Sequence, residues 1–394
     1  MKRLLRLAPV ILSLVLAAHG APPQLPGVGA AMQLAIDQQV IAGAVTVVVS
    51  QDQVLHLQTT GLADVASATP MQPDTVFWIA SMTKPVTGVA LLMLQDEGKL
   101  KVSDPVAKYL PEFAALKTPS GAPANLTLAQ LMTHTSGLGE APRNSPKVRT
   151  LADVIPLYLS APMTSEPGTT WRYCQSGINT VGRVIEVVSG QSFDAFLQQR
   201  LFEPLGMKHT TFYPSLLPGR KVATAYSRNP TSERLDASPP RPDFGPRDHP
   251  PLGNGGLYST GPDYARFCQM LLGRGLWQGK RLLSPEAFSL LSTVQTGDMP
   301  TGFFQNDPYG RWGRNYGWGI GTCVLRAPHD GVASMLSPGT FGHGGAWGTQ
   351  AWIDPVRGVA YLLLVQRTNF PNSDASDVRQ RFQQAASDAL PRPH

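Results

Sequence analysis

Cysteine is scarce in this chain, and its spacing suits neither a metal site nor a redox site. Cys174, Cys268 and Cys323 stand far apart with no Cys-x-x-Cys pair. An odd count allows at most one internal bridge and leaves a thiol over. No His-Glu-x-x-His occurs, which removes a common helical zinc site. No Gly-x-Ser-x-Gly occurs, which removes the nucleophile elbow of the α/β-hydrolases. Neither a metal nor an organic cofactor is called for by any motif. Charged residues make up only 15% of the chain. Beyond the N-terminus no apolar run is long and unbroken enough to span a bilayer, so no stable membrane insertion is expected.

What is present begins with MKRLLRLAPVILSLVLAAHG: three cations, an apolar run from Leu7 to Ala18, then small residues. This reads as a secretory signal peptide of residues 1–20, cleaved after Gly20, with 21–394 as the mature domain. Removing Lys2, Arg3 and Arg6 with no acidic residue takes the formal net charge from +6 to +3. So mild a balance implies no nucleic-acid partner. The expected setting is the bacterial periplasm or the extracellular space. With 394 residues and 42% hydrophobic content, the chain can build one large domain or two tightly joined ones.

Periodicity divides the chain into three parts. Residues 29 to 41 read as a helix; AGAVTVVVS and VLHLQTTG, β-branched and split by Gln51–Asp52–Gln53, read as a hairpin. Residues 83 to 97 are apolar on nearly every side and stop at Gly98, the pattern of a helix inside the molecule. LTLAQLMTH, INTVGRVIEVVSG and FDAFLQQRLFEPLGM are helical, and Thr260 with Asp263 form a capping pair before Tyr264 to Leu272. The stretch SPPRPDFGPRDHPPLGNGG is irregular. Strand patterns return in YGWGIGTCVL, WGTQAWID and GVAYLLLVQ, with a turn at Pro355 to Gly358 and a last helix over roughly 374 to 390. Strands at both ends predict one antiparallel sheet completed by the two chain ends. A helical lobe, about 85–250, is then inserted between the sheet segments, with a cleft at the join. The loops at 228 to 253 and 294 to 316 are expected at its mouth.

The chemistry-bearing stretch is SMTKPVTGVALLML, Ser81 to Leu94. A serine hydroxyl becomes a nucleophile when a neighbour takes its proton, and a lysine does so when burial or a nearby cation lowers its pKa. Ser81 and Lys84 are three apart, so a helix puts them on one face, at an N-terminus that favours developing negative charge. Alone, the pair also fits a helix cap beside a solvated first-turn cation.

Six segments in order remove that ambiguity: FWIASMTKPVTGVALLML, LMTHTSGL, EPGTTWRYCQSGINTVGRVIE, FEPLGMKHTTF, GNGGLYST and FGHGGAWGTQAWIDP. Over nearly the whole mature chain the sequence resembles the serine β-lactamase and penicillin-binding superfamily, in its class C β-lactamase-like branch with the family VIII carboxylesterases. The resemblance implies an α+β, β-lactamase-like (DD-peptidase) fold and an acyl-enzyme mechanism. It matches Ser81 to the acylated nucleophile, Lys84 to its activating partner in the SxxK motif, and Tyr173 to the proton-shuttling tyrosine of Tyr-x-Asn. That role needs Lys84 and other nearby cationic character to lower the tyrosine pKa. Ser81 and Ala346 match the oxyanion-hole N–H donors.

Two positions depart from the pattern. Gln175 replaces the asparagine of Tyr-x-Asn, keeping the carboxamide at a reach about one methylene longer. His343–Gly344–Gly345 stands where β-lactamases have Lys-Thr-Gly; its glycines let substrate lie against the strand, but the permanent cation for a substrate carboxylate is gone. Gln175, His343, Gly344 and Gly345 are therefore the substrate-binding candidates, and the expected partner is a small ester or amide. His134 matches a structural signature, and Cys174 is expected to point away from the site as a small buried hydrophobe. The expectation is a carboxylesterase for short-chain or activated esters. The alternatives are a β-lactamase, D-amino-acid peptidase or linear-amide hydrolase with the same machinery, and a non-catalytic penicillin-recognising homologue.

Overall fold

Gly43–Val49 (β1) and Val54–Asp64 (β2) pair antiparallel across the polar turn between them, and Thr69–Pro70 (β3) extends the edge. The structure, a computed structural model, describes residues 22–141, 148–239, 241, 248–301 and 313–391. The leader at 1–20 and parts of the loops at 228–253 and 294–316 lie outside the described residues. The C-terminal strands are Tyr316–Trp318 (β4), Cys323–Leu325 (β5), Phe341–Gly344 (β6), Gln350–Asp354 (β7) and Val359–Leu364 (β8). Together they form an eight-stranded sheet in the order β4-β5-β6-β7-β8-β1-β2-β3. The two chain ends meet at its centre, where β8 lies antiparallel to β1 with Val47 opposite Leu362.

Strand β1 is buried along its whole length because both faces of the sheet are covered. Ala44 and Val48 face the terminal helices Val28–Asp37 (α1) and, from the C-terminus, Asp377–Ala389; Val45, Val47 and Val49 face the larger core on the other side. Each such valine contributes roughly 1.5–3 kcal/mol by leaving water. This is why β1 reads as a continuous apolar run and not as a strict alternation.

The helix Thr83–Asp96 (α2) is buried from Thr83 to Leu94, as its all-round apolar pattern predicts. It packs against Gln175–Ser189 (α5), which in turn rests on Leu128–Met132 (α3) and Leu151–Ser160 (α4), and against the helix Pro285–Ser292. A further helix, Gly261–Leu272 (α6), covers the sheet beside β1 and β8.

Three expectations are adjusted. YGWGIGTCVL is two strands, because Gly319 N–H bonds Thr322 O at 2.9 Å and Gly321 takes φ +84°, closing a turn between β4 and β5. Thr260 caps α6 through Asp263 N–H at 3.4 Å, but the Asp263 carboxylate accepts from His209 N–H and Thr210 Oγ1 and does not close the box. The first helix ends at Asp37, short of 41.

Candidate active site

Ser81 sits in a 3-10 turn, Ala80–Met82, that runs directly into α2. The residue before it, Ala80, is held at φ +47°, a left-handed conformation that costs an alanine about 1–2 kcal/mol. The surroundings impose it: Thr83 Oγ1 donates to Ala80 O at 2.7 Å, Thr349 Oγ1 to Ile79 O at 3.2 Å, and Gln366 Nε2 to Trp78 O at 3.1 Å. The result is a fixed, half-buried serine at the head of a buried helix.

One helical turn on, Lys84 is fully buried, and its Nζ donates to Ser81 Oγ at 3.0 Å and to Asn254 O at 2.7 Å. Tyr173 arrives from the segment entering α5, its hydroxyl 3.0 Å from Ser81 Oγ and 3.3 Å from His343 Nε2. Lys84 Nζ also lies over the Tyr173 ring, 4.6 Å from its centre. Lys84, one turn away, and Tyr173, 92 positions away, thus converge on the Ser81 hydroxyl. Burial pushes the Tyr173 phenol well above its ordinary pKa, outweighing the hydrogen bond with Ser81 that acts the other way. The expected lowering by cationic neighbours is overturned: Tyr173 is a neutral phenol here.

His343, on β6, is buried too, and its pKa is pushed down to about 3, first by burial and then by the charge of Lys84. It is a neutral imidazole. Its Nδ1 lies 2.6 Å from Gly344 O, which can only accept, so Nδ1 carries the proton and Nε2 is the acceptor facing Tyr173. The glycines beside it have a packing reason in addition to the expected one. A Cβ on Gly344 would fall onto Asp374 Oδ1, and one on Gly345 onto Thr349 Oγ1 and within 2.6 Å of Ile79 O. The protein's own close packing, before any substrate, requires them. That packing sets the Gly345–Ala346 peptide alongside the Ser81 turn, with Ala346 exposed.

Gln175 is half-buried at the start of α5; Glu140 accepts its backbone N–H, and its side-chain Oε1 accepts from Asn254 Nδ2 at 2.8 Å. His134, buried and at φ +60°, accepts the Cys174 N–H at Nδ1 (3.1 Å), and its ring lies 4.5 Å from that of Tyr173. The Cys174 thiol is buried against Leu138 O, pushed up to about 12, and Cys174, Cys268 and Cys323 are all free. Sequence reasoning missed Asn254 and Asp374. The signal for the first was the one polar side chain in Gly253–Asn254–Gly255–Gly256; Asp374 lay in a segment without any motif. A cavity of about 590 Å³ lined by Asp96, Glu97, Arg200 and Lys280 opens at the opposite end of α2, away from Ser81.

Comparison with known proteins agrees with this architecture. A family profile described as Beta-lactamase matches residues 28–386. Esterase EstB of Burkholderia gladioli is 28% identical over 363 residues, covering 84% of this chain and 87% of its own. A putative D-alanyl-D-alanine carboxypeptidase of Escherichia coli O157:H7 is 26% identical over 389 residues, covering 90% of this chain and 85% of its own. Among solved structures, EstCE1, described as a hydrolase with promiscuous acyltransferase activity, has the same fold. Its TM-score is 0.76 at 22% identity, over 91% of this chain and 97% of that one.

Proposed function

This chain belongs to the beta-lactamase family, and from that premise we propose that it is an exported carboxylesterase acting through an acyl-enzyme at Ser81. The observation that carries the reading is the pair of 3.0 Å contacts that Lys84 Nζ and Tyr173 OH make with Ser81 Oγ. Once Lys84 has given up its own proton to solvent, Ser81 Oγ adds to the ester carbonyl carbon while the serine proton passes to the Lys84 amine. The resulting oxyanion is met by the N–H groups of Ser81 and Ala346. Collapse breaks the C–O bond to the alcohol, and Tyr173, kept protonated by burial, gives its proton to the departing alkoxide and regains one from Lys84. Water then repeats the sequence on the acyl-enzyme and releases the acid.

Short-chain or activated esters are the favoured substrates because the site faces them with a neutral His343 where a carboxylate-bearing substrate needs a cation. A second reading, amide or D-amino-acid peptide hydrolysis, draws on the Gln175 carboxamide and on the likeness to a putative carboxypeptidase. Fluorophosphonate labelling followed by peptide mass spectrometry should place the adduct on Ser81, and Ser81→Ala should abolish it. An adduct on Ser136 or Ser176 overturns the assignment. Rates on p-nitrophenyl esters, nitrocefin and D-Ala-D-Ala peptides then separate the two readings. Among the described residues no helix is long and apolar enough to cross a membrane. Export through residues 1–20 is checked by the mass of the mature chain in the periplasmic fraction.

A further inference from the structure

His134 ends the helix α3 in a backbone conformation that an ordinary side chain resists. Thr135 N–H reaches back to Gln130 O at 3.0 Å, the six-to-one bond of a Schellman termination, and His134 stands just before it at φ +60°. Glycine is the usual occupant there, because a Cβ makes the left-handed backbone unfavourable. A histidine held against that preference points to a use for its side chain. That side chain and its own carbonyl bracket Tyr173. His134 O accepts the Arg172 N–H at 2.9 Å and Nδ1 accepts the Cys174 N–H at 3.1 Å, so the chain is tied to one residue immediately before and immediately after the tyrosine. Between the two bonds the imidazole lies against the phenol ring, with centroids 4.5 Å apart at 36°. Trp318 packs nearly perpendicular to the imidazole, at 4.6 Å and 85°.

The imidazole has no route for carrying a proton itself. Its Nδ1 lone pair is taken by the Cys174 N–H, so Nε2 holds the proton, and that buried N–H meets no hydrogen-bond acceptor among the described residues. Burial first, and then the charge of Lys84, hold its pKa well below the ordinary value, and the ring stays neutral. We propose that His134 is the positioning residue for Tyr173: its clamp on Arg172 and Cys174 sets the 3.0 Å approach of Tyr173 OH to Ser81 Oγ, from which the phenol delivers its proton to the leaving group. The inference rests on the reading of Ser81 as the acylated nucleophile and of Tyr173 as the acid. Its consequence falls on substrate class. Esters with a basic, poorly departing alcohol depend on His134, whereas activated esters, whose alcohol leaves without a proton, do not.

The test compares kcat/KM for phenyl butyrate and p-nitrophenyl butyrate, which deliver the same acyl group and differ in the basicity of the departing phenoxide. His134→Gly suits the left-handed backbone and removes both the Nδ1 acceptor and the ring. The phenyl-to-nitrophenyl ratio should fall by about tenfold, a part of the roughly 10²- to 10⁴-fold that general acid–base catalysis contributes. A merely structural role would lower both esters alike and leave the ratio in place. Fluorophosphonate labelling of Ser81, in which fluoride departs without a proton, should persist. His134→Asn, which tolerates the left-handed backbone and sets Oδ1 in the place of Nδ1, should recover most of the ratio. His134→Ala serves in place of glycine if that variant does not fold. In a Tyr173→Phe background, assayed with enzyme in excess, His134→Gly should leave the ratio where it is. A ratio unmoved by glycine or alanine, an asparagine variant no better than glycine, or the same fall without the Tyr173 hydroxyl overturns the inference while Ser81 labelling stands. Absence of the fluorophosphonate adduct on Ser81 in the wild type overturns instead the reading on which it rests.

Discussion

Replacing His343 by lysine puts a cation where the protein holds a neutral ring. The histidine is only 4% exposed, and its pKa is depressed to about 3, by burial first and by Lys84 second. From an ordinary value of 6.5, that depression corresponds to about 5 kcal/mol against a positive charge in the empty site. In His343→Lys that opposition is offset in part when a substrate carboxylate arrives, because one charged hydrogen bond returns about 1.5–3 kcal/mol, or about tenfold to a hundredfold in affinity. A neutral ester collects none of this. Loss of the Nε2 acceptor 3.3 Å from Tyr173 OH costs about 0.5–1.5 kcal/mol with either substrate and cancels from their ratio. The assay is kcat/KM for p-nitrophenyl butyrate and nitrocefin in wild type and variant. The wild type should favour the ester, and the substitution should shift the ratio towards nitrocefin by at least about tenfold. A wild type that prefers nitrocefin refutes the ester reading. A ratio unmoved by lysine refutes the explanation through the missing cation, even where the preference itself is as expected.

Lys84→Ala and Tyr173→Phe should each lower kcat by about 10²- to 10⁴-fold with the thermal transition preserved, and near wild-type turnover in Tyr173→Phe would end the mechanism. Buried His56, whose ring accepts the Leu25 N–H at 2.9 Å and meets Thr46 Oγ1 at 2.9 Å, has its pKa lowered by burial to about 4. Between about pH 4 and 6.5 the unfolded chain therefore binds a proton that the folded one refuses, so stability falls as pH drops through that window. His343 adds to this in the same direction. Urea melts from pH 7 to 4.5 should show the slope, and His56→Gln should reduce it by up to about 1.4 kcal/mol per pH unit, the contribution of one proton. An unchanged slope would mean that His56 takes up its proton in the native state.

Much of the fold was legible because its signals are local. The β-branched runs of β1 and β2, the all-round apolar α2 and the glycine that ends it each follow from side chains within a few residues. The pairing of Ser81 with Lys84 was legible for the same reason, since three residues on a helix fix their geometry. The family motifs extended this to Tyr173, whose hydroxyl comes from 92 positions away.

What the sequence could not determine depends on groups that carry no signature of their own. The second partner of Lys84 is a main-chain carbonyl, and every residue has one; only the folded path of Gly253–Asn254–Gly255 selects Asn254. The need for glycine at 344 and 345 comes from Asp374 Oδ1 and Ile79 O, which reach the strand from distant segments. The charge states decide the chemistry and were misjudged for Tyr173, because motif spacing counts the lysine beside the phenol but not the packed residues around it. Those residues exclude water from all sides, and desolvation, summed over the tertiary structure, outweighs the hydrogen bond with Ser81.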